Sequence, residues 1–85
     1  MEALKNKVTV EIYGEAYPLK SEADLGRIVQ VAFFLDARMK ETAGHNRRLP
    51  AAKVAVLTAL NIADELLRLQ EDYRKLVAIM NRGKA

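Results

Sequence analysis

The chain has 85 residues, 51% of them hydrophobic and 29% charged, with 14 Lys and Arg against 11 Asp and Glu, one His and no Cys. A chain this short holds one domain at most and buries only roughly 60% of its unfolded surface, so natural scaffolds of this size usually add disulfides, a metal or a partner chain. Disulfides are excluded by the absence of Cys and a zinc site by the single His, which leaves oligomerisation as the expected support.

Residues 7–13 alternate, with Val8, Val10 and Ile12 on one face and Thr9, Glu11 and Tyr13 on the other. That is the period of a half-buried strand. Gly14 and Glu15 are expected to supply the turn, and Tyr17 and Leu19 resume the alternation. Residues 7–20 therefore read as a β-hairpin whose second strand is a short edge, the missing N–H of Pro18 turned outward. A lone hairpin is unstable in water, so its apolar face must pack on the helices C-terminal to it.

Ser21 is placed to cap a first helix starting near Glu22, with Glu22 and Asp24 at the positive end of its dipole. Leu25, Ile28, Ala32, Leu35 and Met39 recur at spacings of three and four and form the stripe expected to face the core. Gly44 is a natural stop, and residues 45–49 read as a loop. Pro50 suits the first turn of a second helix, where its missing N–H has no partner to lose. From there to Arg82 no Gly or Pro intervenes, about 33 residues that make a rod of roughly 50 Å. An 85-residue globule cannot cover such a rod on all sides.

Along this second helix, Ala52, Ala55, Ala59, Ile62, Leu66, Leu69, Tyr73, Leu76 and Met80 alternate spacings of three and four, a heptad seam sustained for four repeats. Around Val54, Val56, Leu57, Leu60, Ala63 and Leu67 the helix is apolar on nearly every side and is expected to lie inside a head built with the hairpin and helix one. Beyond Leu67 the seam is flanked by Arg68, Gln70, Glu71, Asp72, Arg74 and Lys75, the pattern of an exposed helix burying one stripe against another helix. The expected class is thus α+β: an N-terminal β-hairpin followed by two helices (ββαα), the second long and continuing into a coiled coil. Residues 1–67 form the globular head and residues 68–85 the coiled-coil extension. Phe33 and Phe34 fall off the main stripe of helix one and are assigned, with the seam, to contacts between subunits.

The chemistry available is sparse. There is no Cys nucleophile, His45 lies in a loop, and Asp64 and Glu65 point about 100° apart on a helix, so they form no carboxylate dyad. The four glycines match no phosphate- or dinucleotide-binding loop. Neither an enzyme nor a cofactor is expected. Apolar runs such as residues 31–35 fall far short of the ~18 residues of a membrane span, and residues 1–7 lack the apolar core of a signal peptide. The expectation is a cytoplasmic protein without membrane contact. A strand before two helices resembles ribbon-helix-helix DNA-binding dimers, which is one alternative reading. Against it, Glu11 on the outer face of the hairpin would meet phosphates with the wrong sign, so no nucleic-acid partner is expected. A coiled-coil scaffold for another partner is the second alternative.

Three segments, in this order, are similar to the ZapA family of bacterial cell-division proteins. They are Val8-Thr9-Val10-Glu11-Ile12-Tyr13-Gly14 with Tyr17 and Leu19, then Leu35-Asp36-Ala37-Arg38-Met39, then the run from Lys53 through Asn61-Ile62-Ala63-Asp64-Glu65-Leu66. The resemblance covers about residues 7–76. It implies a non-enzymatic regulator at the mid-cell division site that binds the tubulin-like GTPase FtsZ, bundles its filaments and stabilises the Z-ring. It also implies homodimers through the head and homotetramers through the coiled coil. Filament contacts in the family are attributed to charged residues of the head. Here the resemblance carries them to Arg47, Arg48 and Lys53 around the loop into helix two, with Lys40 and Glu41 beside it.

Overall fold

The computed structural model describes residues 6–22, 24–46 and 48–83. The elements run β1 (Asn6–Ile12), β2 (Glu15–Ser21), α1 (Leu25–Ala43) and α2 (Ala51–Arg82), the expected hairpin followed by two helices. β1 and β2 pair antiparallel, with Val8 opposite Leu19 and Val10 opposite Tyr17 on one face, and Thr9 opposite Pro18 and Glu11 opposite Ala16 on the other. Val10 is buried beneath α1.

The turn is Tyr13-Gly14, one residue earlier than the expected Gly14-Glu15. Both residues have positive φ, +51° and +82°, which is what a two-residue turn of type I′ needs to match the twist of its strands. A bulky residue seldom adopts such a φ. The backbone N–H of Tyr13 donates to Asp36 Oδ1 on α1 at 2.7 Å, so a residue 23 positions away secures the turn. Pairing alternates outward from Ile12 and Glu15, the hydrogen-bonded pair beside the turn. The Thr9–Pro18 pair is consequently a non-hydrogen-bonded one, and the Pro18 nitrogen faces away from β1, as its lack of a proton requires. β2 is nevertheless not short: it has seven residues, as β1 does.

Helix α1 begins at Leu25, not near Glu22, and Asp24 at its cap makes no side-chain capping bond. Ser21, expected as the cap, stands opposite Asn6 at the end of the ladder, so extended pairing takes up the residue that was expected to cap the helix. The C-terminal stop is as expected. Gly44 turns to φ +56° and its N–H donates to the Lys40 carbonyl at 3.1 Å. Pro50 is the cap of α2 rather than its first helical residue, and its carbonyl accepts from the N–H groups of Lys53 and Val54 at 3.0 and 3.1 Å.

The core is thin. Met39, Ala43 and Val54 are buried at the α1–α2 contact, with Ile12, Tyr13, Leu35 and Leu49 packed around them, and Thr58 is fully buried one turn beyond Val54. The radius of gyration is 17.8 Å, against about 12 Å for a compact chain of this length. The molecule spans 53 × 47 × 15 Å, one layer thick in its narrow direction. This openness corrects the expectation that the first half of α2 lies inside the head. Val56 and Leu60 are 60% and 62% exposed, and Leu57, Ala63 and Leu67 are exposed as well. The reason is geometric: α1 reaches a single face of α2, and among the described residues no strand packs along the others.

Candidate interaction surfaces

Two kinds of surface emerge, one charged and one apolar. The charged one lies where α1 turns into α2. Lys40, in the last turn of α1, places Nζ 3.0 Å from Asp36 Oδ2, and Glu41 Oε1 lies 3.5 Å from Arg38 Nε. Arg48 is exposed in the loop, its N–H donating to Asn46 Oδ1 at 3.2 Å, and Lys53 is exposed in the first turn of α2. Arg47 lies outside the described residues. Lys40, Glu41, Arg48 and Lys53 are thus carried by consecutive pieces of one corner, with Lys40 and Glu41 tied into pairs along α1.

The apolar surface runs the length of α2. Of the seam residues, Ile62 is half-buried where α2 leaves α1, Ala59 is exposed, and Leu66, Leu69, Tyr73, Leu76 and Met80 are each more than half exposed. Phe33 and Phe34 also face solvent, Phe33 at 75%. Exposed aliphatic and aromatic side chains in an unbroken row are characteristic of a surface that meets another chain. The start of the row is exposed too, with Ala52 and Ala55 lining an open groove together with Tyr13 and Tyr17 of the hairpin and Leu35 and Met39 of α1.

Sequence reasoning missed the groups that tie the elements together. Arg38 donates Nη1 to Glu65 Oε1 at 2.9 Å and Nη2 to Glu65 Oε2 at 2.5 Å, and its guanidinium lies 5.6 Å from the centroid of the Phe34 ring. The hydrogen bonds from Arg38 hold the Glu65 carboxyl below its usual range and raise the guanidinium in turn. Asp36 is lowered as well, first by the Tyr13 N–H and then by Lys40. Twenty-seven residues separate Arg38 from Glu65, and no local pattern announces such a pair. The charges set within the apolar periodicity of residues 35–39 are the one available hint.

Among the described residues no cluster of His, Asp and Glu is placed to hold a metal ion, and no helix is long and apolar enough to cross a membrane. What the described residues present is a charged corner and an apolar row on a projecting helix.

Known proteins share this fold. The family model described as cell division protein ZapA matches residues 8–83. A cell division protein ZapA of Geobacillus thermodenitrificans is 42% identical over 80 residues, covering 94% of this chain and 88% of that protein. One from Geobacillus kaustophilus is 43% identical over 80 residues with the same coverage. Among solved structures, a ZapA mutant dimer from Geobacillus stearothermophilus superposes with a TM-score of 0.69 at 38% identity, covering 94% of this chain and 93% of that one. A conserved bacterial protein of unknown function from Pseudomonas aeruginosa superposes with a TM-score of 0.71 at 26% identity, covering 91% and 86%.

Proposed function

The chain belongs to the ZapA family of cell-division proteins, and from that premise we propose that it is a homo-oligomer that binds FtsZ and cross-links its filaments, stabilising the division ring at mid-cell in the cytoplasm. The observation that carries this reading is the row Leu66, Leu69, Tyr73, Leu76 and Met80, exposed along a helix that runs away from its own head. Such a row is covered when extensions of several copies (residues 68–85) pair, and the heads (residues 1–67) then stand apart on a shared rod. The relative solved as a dimer supports self-association. Phe33 and Phe34 supply a second apolar contact at the heads.

A particle with two or more equivalent heads engages two filaments at once, and avidity makes modest individual contacts sufficient. The filament contacts belong to the charged corner, Lys40, Glu41, Arg47, Arg48 and Lys53. Reversing Arg47 and Arg48 together to Glu should abolish bundling while oligomeric mass and helix content stay unchanged. Exposed charge contacts are individually worth about 0–1 kcal/mol, but reversal turns attraction into repulsion at every head. Pelleting and light scattering of FtsZ polymers decide the matter. Full bundling by a folded double mutant would remove the corner from the contact surface.

A further inference from the structure

We infer that Arg38 is a positioning residue: its bidentate bond to Glu65 fixes the angle between head and rod, and through that angle the spacing between cross-linked filaments. The spacing part rests on the bundling reading above; the angle part does not.

The apolar contact between α1 and α2 cannot fix the angle alone. Its fully buried members are Val54 and Thr58, both small; Val54 is set against Met39 and Ala43, and the residues around these three, Leu35 and Leu49 among them, are only partly buried. So short a patch defines one point and leaves rotation about it nearly free. The Arg38–Glu65 pair is the second point. The two terminal guanidinium nitrogens each donate to one carboxylate oxygen, Nη1 to Oε1 at 2.9 Å and Nη2 to Oε2 at 2.5 Å. A planar fork against a planar carboxylate restricts orientation as well as distance, which a lysine ammonium would not do.

Arg38 is itself held. Its side chain is only 19% exposed, Glu41 on the same helix lies 3.5 Å from Nε, and the Phe34 ring lies one turn back at 5.6 Å. Glu65 immediately precedes Leu66, the first residue of the row after the half-buried Ile62. The brace therefore ties the head to the point on α2 where pairing with another chain begins. About 26 residues run from the contact at Val54 and Thr58 to the end of α2, a lever of roughly 40 Å, so a tilt of about 20° against a filament-bound head moves its far end by roughly 14 Å. Such a displacement alters a bundle without dissolving it.

The chain has no cysteine, so spin labels can be introduced at Ala16→Cys in the hairpin and Gln70→Cys on α2. Labelled chains diluted into an excess of unlabelled protein report the head–rod distance within one chain by double electron–electron resonance. Arg38→Ala should broaden that distance distribution about twofold. Glu65→Gln, closer to the native side chain in size, should do the same if Arg38→Ala proves poorly folded. The charge swap Arg38→Glu with Glu65→Arg should narrow the distribution again, and Arg38→Lys should not. Helix content and oligomeric mass should change little, since the Glu65 side chain of the pair is 58% exposed and solvent-screened pairs contribute little to stability. In FtsZ bundles the same singles should still cross-link but lose the sharp interfilament peak in small-angle scattering. An unchanged distance distribution in folded Arg38→Ala and Glu65→Gln would overturn the brace. A broadened distribution beside wild-type protein that forms no bundles would keep the brace and overturn the bundling reading.

Discussion

The two halves of α2 share one apolar period but meet different neighbours. In the first half, α1 lies against one face and fully buries Val54 and Thr58, while Val56 and Leu60 on another face remain mostly exposed. In the second half none of the described residues of β1, β2 or α1 covers the row, and Leu69, Tyr73 and Leu76 stand in solvent. Periodicity thus states that a face will be buried but not whose side chains bury it. The proximal face that carries Val54 and Thr58 is satisfied within the chain, whereas the distal row is left open.

The largest expected effect separates these two faces. Leu69→Lys should remove about 1.5–3 kcal/mol of burial from every chain in the assembly, lowering oligomeric mass in sedimentation while the head keeps its circular dichroism. Arg68→Glu is the adjacent control. It loses an exposed pair with Asp64 at 3.1 Å, of a kind worth roughly 0.2–1 kcal/mol, and should leave the mass unchanged. Equal dissociation by both would break the division between head and rod.

A smaller effect, of opposite sign, is expected in the proximal half. The Thr58 hydroxyl is buried without a hydrogen-bond partner, and an unsatisfied buried polar group is costly. Thr58→Val keeps the shape and should stabilise by about 1 kcal/mol. The thermal midpoint should rise by several degrees when measured at fixed protein concentration. A lowered midpoint would show that the hydroxyl has a partner in the assembled protein, and that the proximal half too is completed by another chain.

The smallest effect concerns acid. The folded-state pKa of Asp36 lies below the ordinary carboxylate value, because the Tyr13 N–H and then Lys40 favour its charged form. Its contribution is therefore fully present above the unfolded pKa and is lost as pH falls through the folded one. Urea midpoints for the wild type should drop between about pH 5 and pH 3, and Asp36→Asn, which keeps an acceptor for Tyr13, should show a shallower drop. Parallel declines would remove Asp36 from the hold on the hairpin.

These contrasts also explain which features are legible in the sequence. The alternation of Val8, Val10 and Ile12, the α1 stripe and the stop at Gly44 obey local rules, and the elements appear where those rules place them, although Leu25, expected to open the core-facing stripe, is 42% exposed at the start of α1. The turn falls one residue earlier than expected because the group that favours positive φ at Tyr13 is Asp36, from another element. The start of α1 escapes local rules because Ser21 suits a cap and a strand end equally, and pairing with β1 decides between them. Composition overestimates the burial of Val56, Leu60 and Leu67, since it cannot tell a face covered by the same chain from one awaiting another. The Lys40 side of the charged corner is legible as charge, but its tie to Asp36 and the Arg38–Glu65 brace require the third dimension.

Pro18 protects the molecule in another way. A protein that exposes so much apolar surface is at risk of indiscriminate association, and a hairpin with two open edges would add a second route, the templated addition of strands from other copies. On the outer edge of β2 the central position that would donate to an arriving strand has no proton to give. An incoming strand would leave its own carbonyl there unsatisfied, at a cost that discourages sheet growth from that side. The helices are thus free to be adhesive because one edge of the sheet is not. Selection against fibrillar misassembly is built into the residue opposite Thr9.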